Sequence, residues 1–119
     1  MTTILLAVAL LFVVLQPVQT ARPIVGAYAC HGTQNGQRYE MPLAIAEFGH
    51  AYQLTWGDPA TVMGLGLLQE GRLAVALVVP RTGAVGVASY VVTPGRLEGI
   101  WSRGDGSIDV ETCQQGRPA

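Results

Sequence analysis

From Gly26 onward the chain alternates short apolar stretches with glycine-rich or polar breaks, and no stretch keeps a 3.6-residue apolar period for three turns. Reading between the breaks predicts eight strands, at roughly 25–31, 39–48, 51–57, 60–69, 72–79, 84–92, 96–102 and 107–113. The separators, among them Gly49-His50, Glu70-Gly71, Pro94-Gly95 and Gly104-Asp105-Gly106, are of hairpin length. Parallel crossovers need about a dozen connecting residues, so the strands are expected to be antiparallel neighbours in sequence order. An all-β, eight-stranded up-and-down meander that closes into a barrel follows, with a two-sheet sandwich as the runner-up.

Alternation within each strand assigns faces. The predicted interior holds Tyr52, Leu54 and Trp56, then Leu73, Val75 and Leu77, then Leu97, Gly99 and Trp101, together with Leu43, Ile45, Val85, Val87, Ile108 and Val110. In the last strand Asp109, Glu111 and Cys113 share the opposite face and are expected outside. Were that face to point inward, Glu111 would become a buried carboxylate in need of a bulge or a ligand to explain it. The outside of strands four to six is expected to be apolar: Met63, Leu65 and Leu67, then Ala74, Ala76 and Val78, then Ala88, Tyr90 and Val92. A contiguous patch of that kind calls for a covering partner, most simply a second copy of the chain.

The N-terminal stretch differs in kind. Ile4 to Leu15 is an unbroken apolar run of twelve residues. As a helix it would rise about 18 Å, short of a ~30 Å hydrocarbon core. Gln16, Pro17 and Gln19 end it, and small residues follow at Thr20 and Ala21. Residues 1–21 therefore read as a helical signal peptide, leaving 22–119 as a single barrel domain that is secreted or periplasmic, with no stable membrane anchor after cleavage.

Two cysteines, Cys30 and Cys113, sit near the two ends of that domain. An even pair in an oxidising compartment normally forms a disulfide, and closure of an eight-stranded meander sets its first strand beside its last. Bridging them would close most of the mature chain into one loop, a chain-entropy contribution of at most about 4.5 kcal/mol.

Composition narrows the chemistry. With 119 residues, 13% charged and a net charge of −1, the chain has no basic field for nucleic acid or an anionic membrane surface. The two thiols and two histidines do not fall at zinc-ligand spacing, and no Gly-rich phosphate loop leads a helix, so neither a metal nor another cofactor is expected. Serine occurs three times, at 89, 102 and 107, outside any nucleophile motif, and the carboxylates sit mainly at strand ends and turns; the chain reads as a binding protein and not an enzyme. Arg103-Gly104-Asp105 falls at a hairpin, where Gly and Asp serve the turn itself. Tyr52, Trp56 and Trp101, on predicted inward faces, either fill the barrel or line a site for one small apolar ligand.

The series Gly26-x-Tyr28-x-Cys30-x-Gly32-Thr33, Tyr39, Leu43-x-Ile45 and Gly49-x-x-Tyr52-x-Leu54-x-Trp56 resembles small exported bacterial proteins catalogued as fibronectin-binding proteins. The likeness continues through Gly64-x-Gly66, Val85-Gly86-Val87-x-x-Tyr90, Gly95-x-Leu97-x-Gly99-x-Trp101 and Glu111-Thr112. It implies an avidin- or lipocalin-like barrel that adheres to an extracellular or host protein, and it carries over no site residues. Tyr28-x-Cys30-x-Gly32 and Gly49-x-x-Tyr52-x-Leu54 also resemble bacterial envelope inhibitors of lysozyme, although the Ser-rich loop of those inhibitors has no counterpart here. The expected partner surface is Met63, Leu65, Leu67, Ala76, Val78 and Tyr90.

Overall fold

A computed structural model describes residues 23–116; the expected signal peptide, residues 1–21, lies outside the described residues. The strands are β1 (Gly26–Gln34), β2 (Gln37–Phe48), β3 (Ala51–Trp56), β4 (Val62–Gln69), β5 (Arg72–Val79), β6 (Ala84–Thr93), β7 (Arg96–Ser102) and β8 (Asp109–Gln115). They form one closed antiparallel barrel in sequence order. β8 closes it by pairing with β1, from Tyr28 opposite Gln115 to Gly32 opposite Glu111. No helix occurs among the described residues.

Local chemistry explains the hairpins. Asn35 and Gly36 both take positive φ, 52° and 77°, and Glu70 and Gly71 take 53° and 75°. This is the two-residue turn whose twist matches that of paired strands. Thr33 and Gln34, beyond the first strand expected at 25–31, extend β1 instead, and only Asn35-Gly36 separates it from β2. The links after β1, β3, β5 and β7 emerge at one end of the barrel; the other three links and both termini of the barrel lie at the other.

The core is the inner face of the barrel: Tyr28 and Cys30, Leu43 and Ile45, Leu54 and Trp56, Leu73 and Val75, Ala88 and Tyr90, Leu97, and Cys113. Two strands face opposite to expectation. In β6, Ala88 and Tyr90 point inward, Tyr90 being 1% exposed, while Val85 and Val87 point outward, Val87 being 62% exposed. The reason is register. The link at 80–83 sets Val79 opposite Ala84, and so Leu77, Val75 and Leu73 opposite Gly86, Ala88 and Tyr90. Directly opposed residues share a face, so the inward leucines of β5 bring Tyr90 in with them. Tyr90 is therefore removed from the expected outer surface.

β8 is inverted in the same way. Asp109, Glu111 and Cys113 are buried, and Ile108 and Val110 are exposed. Cys30 stands opposite Cys113 with Cα atoms 4.0 Å apart, and the two form a disulfide. Cys30 shares the inner face of β1 with Tyr28, so the bridge lies inside the barrel and not outside it. A buried disulfide of this kind belongs to a chain folded in an oxidising, non-cytoplasmic environment.

Leu65 and Leu67 of β4, and Ala74, Ala76 and Val78 of β5, do face out. Opposite Ala76 and Val78 on β6, the outward side chains are Val87 and Val85. The outer strip is thus apolar, with these valines in place of Tyr90, Ala88 and Val92.

Candidate functional site: an aromatic pocket over a buried carboxylate

Inversion of β8 puts a carboxylate where a core residue was expected, and the inner faces of four strands converge on it. Glu111 is 5% exposed. Its Oε1 accepts hydrogen bonds from Tyr90 Oη at 2.8 Å and Trp56 Nε1 at 3.1 Å. Its Oε2 accepts one from Tyr39 Oη at 2.5 Å. Three donors on two oxygens offset most of the desolvation a buried carboxylate suffers. Glu111 therefore needs no bulge and no ligand to account for its burial.

Glycines on the inner face make this convergence fit. A Cβ at Gly32 would lie 2.7 Å from Tyr39 Oη and 2.4 Å from the Val110 carbonyl. At Gly99 it would lie 2.8 Å from the Tyr90 ring and 2.0 Å from the Ser89 carbonyl. Any side chain at either position would displace one of the two phenols from Glu111.

Both phenols are held strongly in the neutral form. For Tyr90 the cause is burial first, then the charge of Glu111 and the hydrogen bond to it. For Tyr39 it is burial, then the Glu111 hydrogen bond and charge, opposed by a weaker pull from the Trp101 N–H. A second buried acid, Asp109, accepts from Thr33 Oγ1 at 3.1 Å and from the Asn35 backbone N–H at 3.4 Å, tying the β1–β2 turn to the start of β8.

Above Glu111 a pocket of about 160 Å³ opens at the barrel end that carries the 57–61, 80–83 and 103–108 links. Its floor is Trp56, Tyr90 and Glu111; one wall is Met41, Val62, Leu77 and Val79; the other is Gln34, Tyr39, Trp101 and Arg103. Tyr39 meets Trp101 edge-on, with ring centroids 6.4 Å apart and planes at 74°. The Arg103 guanidinium sits 6.0 Å from the Trp101 ring centroid. Arg103 Nη2 donates to Asn35 Oδ1 at 2.8 Å and lies 3.6 Å from the Asp105 carboxylate. On this wall Trp101 Nε1 and Arg103 Nε are closed off from water, and the Trp101 N–H is set against the Tyr39 hydroxyl.

Of the aromatic residues expected to line an interior site, Trp56 and Trp101 do so, whereas Tyr52 is partly buried in β3 away from the pocket lining. Tyr39, Tyr90 and Glu111 were not expected there. Tyr39 was legible only as part of a family-like pattern, and the other two followed strands whose faces depend on register. Met63 is half-buried, and Leu65, Leu67, Ala76 and Val78 stand on the outer face. Arg103-Gly104-Asp105 lies at the mouth, where Asp105 accepts from the Ser107 backbone at 2.9 Å and so builds the turn. The Ser107 hydrogen bonds hold the exposed Asp105 carboxyl below its ordinary range. In comparisons with protein-family models and with curated proteins, the chain matches none.

Proposed function

We propose that this is an exported, non-catalytic barrel that carries one small, largely apolar molecule in the pocket above Glu111. A single observation carries the reading: a 160 Å³ space with an apolar wall and an aromatic floor, open at one end. Interiors are otherwise close-packed, and cavities near this size accept a benzene ring. The buried acid argues for binding over catalysis, because both Glu111 oxygens are already engaged by donors of the barrel itself. Toluene titrated into the oxidised protein should change the fluorescence of Trp56 and Trp101 saturably. A flat response, with no competition between toluene and other ring compounds, would remove the carrier reading.

A second reading, adhesion to an extracellular protein such as fibronectin or to a second copy of the chain, draws support from the outer strip of Leu65, Ala76 and Val87. These three stand directly opposite one another across β4, β5 and β6. Retention of the protein on immobilised fibronectin, lost in Leu65→Lys, is the expected result of that reading; no retention at micromolar concentration would remove it. Inhibition of a hydrolase such as lysozyme requires a loop that reaches into a cleft, and the short links of this barrel lend that idea no support.

A further inference from the structure

Resting on the second of these readings, we infer that the outer strip is a self-complementary seam whose occupant is a second copy of this chain, packed β4 over β5. Side-chain size is the starting point. On the outside of β4, Leu65 and Leu67 are 52% and 65% exposed and form a ridge. On the outside of β5, Ala74 and Ala76 form a trough beside it. The register sets each large residue directly beside a small one, Leu65 opposite Ala76 and Leu67 opposite Ala74. Within these two strands only Arg72, at the start of β5, carries a charge. Covering the rest strips water from no ion.

Symmetry picks the occupant. A two-fold axis running along the strands, midway between β4 and β5, lays the ridge of each copy in the trough of the other, so that Leu65 meets the partner's Ala76 and Leu67 the partner's Ala74. The same operation sets Gln69 on the partner's Arg72 at the end of the seam, an amide on a guanidinium, and no like charges meet. An axis across the strands would drive leucine onto leucine instead. An unrelated protein would need this relief by coincidence; a copy carries it by construction. Sheets stacked in this way keep their strands within about 30° of each other and interdigitate their side chains. The closed barrel is convex, which confines the contact to β4 and β5 and leaves Val85 and Val87 of β6 at a wetted rim. Two strands of this length bury on the order of 500 Å² per copy, the low end for a specific interface, and a dimer with Kd on the order of 10 µM follows.

The test is sedimentation equilibrium of the oxidised protein across about 1 to 300 µM, where the mass should rise from one chain to two. Ala76→Leu adds apolar surface but fills the trough, so it should weaken the dimer at least about tenfold. Leu65→Ala removes half the ridge and should weaken it at least about fivefold. The exchange Leu65→Ala/Ala76→Leu rebuilds ridge and trough on opposite strands and should recover a Kd within about threefold of the unmodified protein. Both positions face outward, and recovery in the exchange shows that the single variants lost the seam and not the fold. Tighter association in Ala76→Leu, or no recovery in the exchange, overturns the inference and leaves adhesion standing. A mass of one chain throughout, with retention on immobilised fibronectin, overturns it as well and gives the strip to that partner. A mass of one chain with no retention overturns both.

Discussion

Cys113 Sγ lies 3.4 Å from Glu111 Oε1, two residues back along β8, so the disulfide and the buried carboxylate form one polar spine inside an otherwise apolar barrel. The same strand closes the barrel and supplies the hub on which Tyr39, Trp56 and Tyr90 converge. Closure and pocket floor are therefore a single structural unit.

Removing the hub should cost more than removing any spoke. Glu111→Leu leaves two hydroxyls and an indole N–H buried without an acceptor, and a loss of about 3–5 kcal/mol is expected in urea unfolding. Tyr90→Phe removes one donor and should cost about 1–2 kcal/mol. Tyr39→Phe should cost less, because that phenol is half-buried. The double variant Tyr90→Phe/Glu111→Leu should lose less than the sum of its parts, since the orphaned hydroxyl is gone with its acceptor. A full additive loss would mean that the two side chains do not share a bond.

Alkaline pH should unfold the protein cooperatively. Tyr39 and Tyr90 are raised in the folded state from an ordinary value of 10.0, by burial first and by Glu111 second. Folded chains then hold protons that unfolded chains release. Stability is accordingly intact below pH 10 and falls above it, by up to about 1.4 kcal/mol per pH unit for Tyr90, with a smaller share from Tyr39. Phenolate absorbance near 295 nm should include a steep step that coincides with loss of near-ultraviolet circular dichroism. In Tyr90→Phe that step should be shallower. A gradual rise with native dichroism preserved to pH 12 would contradict this.

Reductant should reach the bridge only through unfolding. Cys113 is fully buried and Cys30 nearly so, and the leaving thiolate would form beside Glu111, where a second negative charge is disfavoured. Dithiothreitol with a thiol-alkylating probe should label neither cysteine in buffer over hours and both in urea. Cys30→Ala/Cys113→Ala should lose about 2–5 kcal/mol, consistent with a link that spans 83 positions. Rapid labelling without denaturant would place the bridge at the surface.

The eight strands, their meander order and the disulfide were legible because each rests on local signals: glycine turns, alternation, and the coincidence of Cys30 and Cys113 with the first and last strands. What was not legible is which face of β6 and of β8 turns inward. β6 carries apolar residues on both faces, Val85 and Val87 against Ala88 and Tyr90, so alternation alone cannot choose. The choice is made by the link after Val79, and counting back from it would have paired Leu73 with Tyr90. In β8 the usual rule fails for a different reason. Its acids are inward because donors from β1, β2, β3 and β6 wait there for them, and no single strand carries that information. The candidate pocket was half visible for the same reason: Trp56 and Trp101 announce themselves, whereas Glu111 looked like a solvated acid.

The register of β6 can be tested by charge at adjacent positions. Val87 faces out and stands opposite Ala76 and Ser102, whereas Ala88 faces in, opposite Val75 and Trp101. Val87→Lys should fold with a stability change within about 0.5 kcal/mol, because its ammonium remains in water. Ala88→Lys must drive a long cation into the core between Val75 and the Trp101 strand, and a loss above about 3 kcal/mol, or no folded protein, is expected. Equilibrium urea unfolding of the pair reads the contrast directly. The reverse order, with Val87→Lys the damaging change, would restore the alternation-based assignment, expel Tyr90 from Glu111 and dissolve the pocket floor. A loss in both variants would mean instead that the outer strip is covered in solution, which sedimentation of the unmodified protein would reveal as a mass above that of one chain.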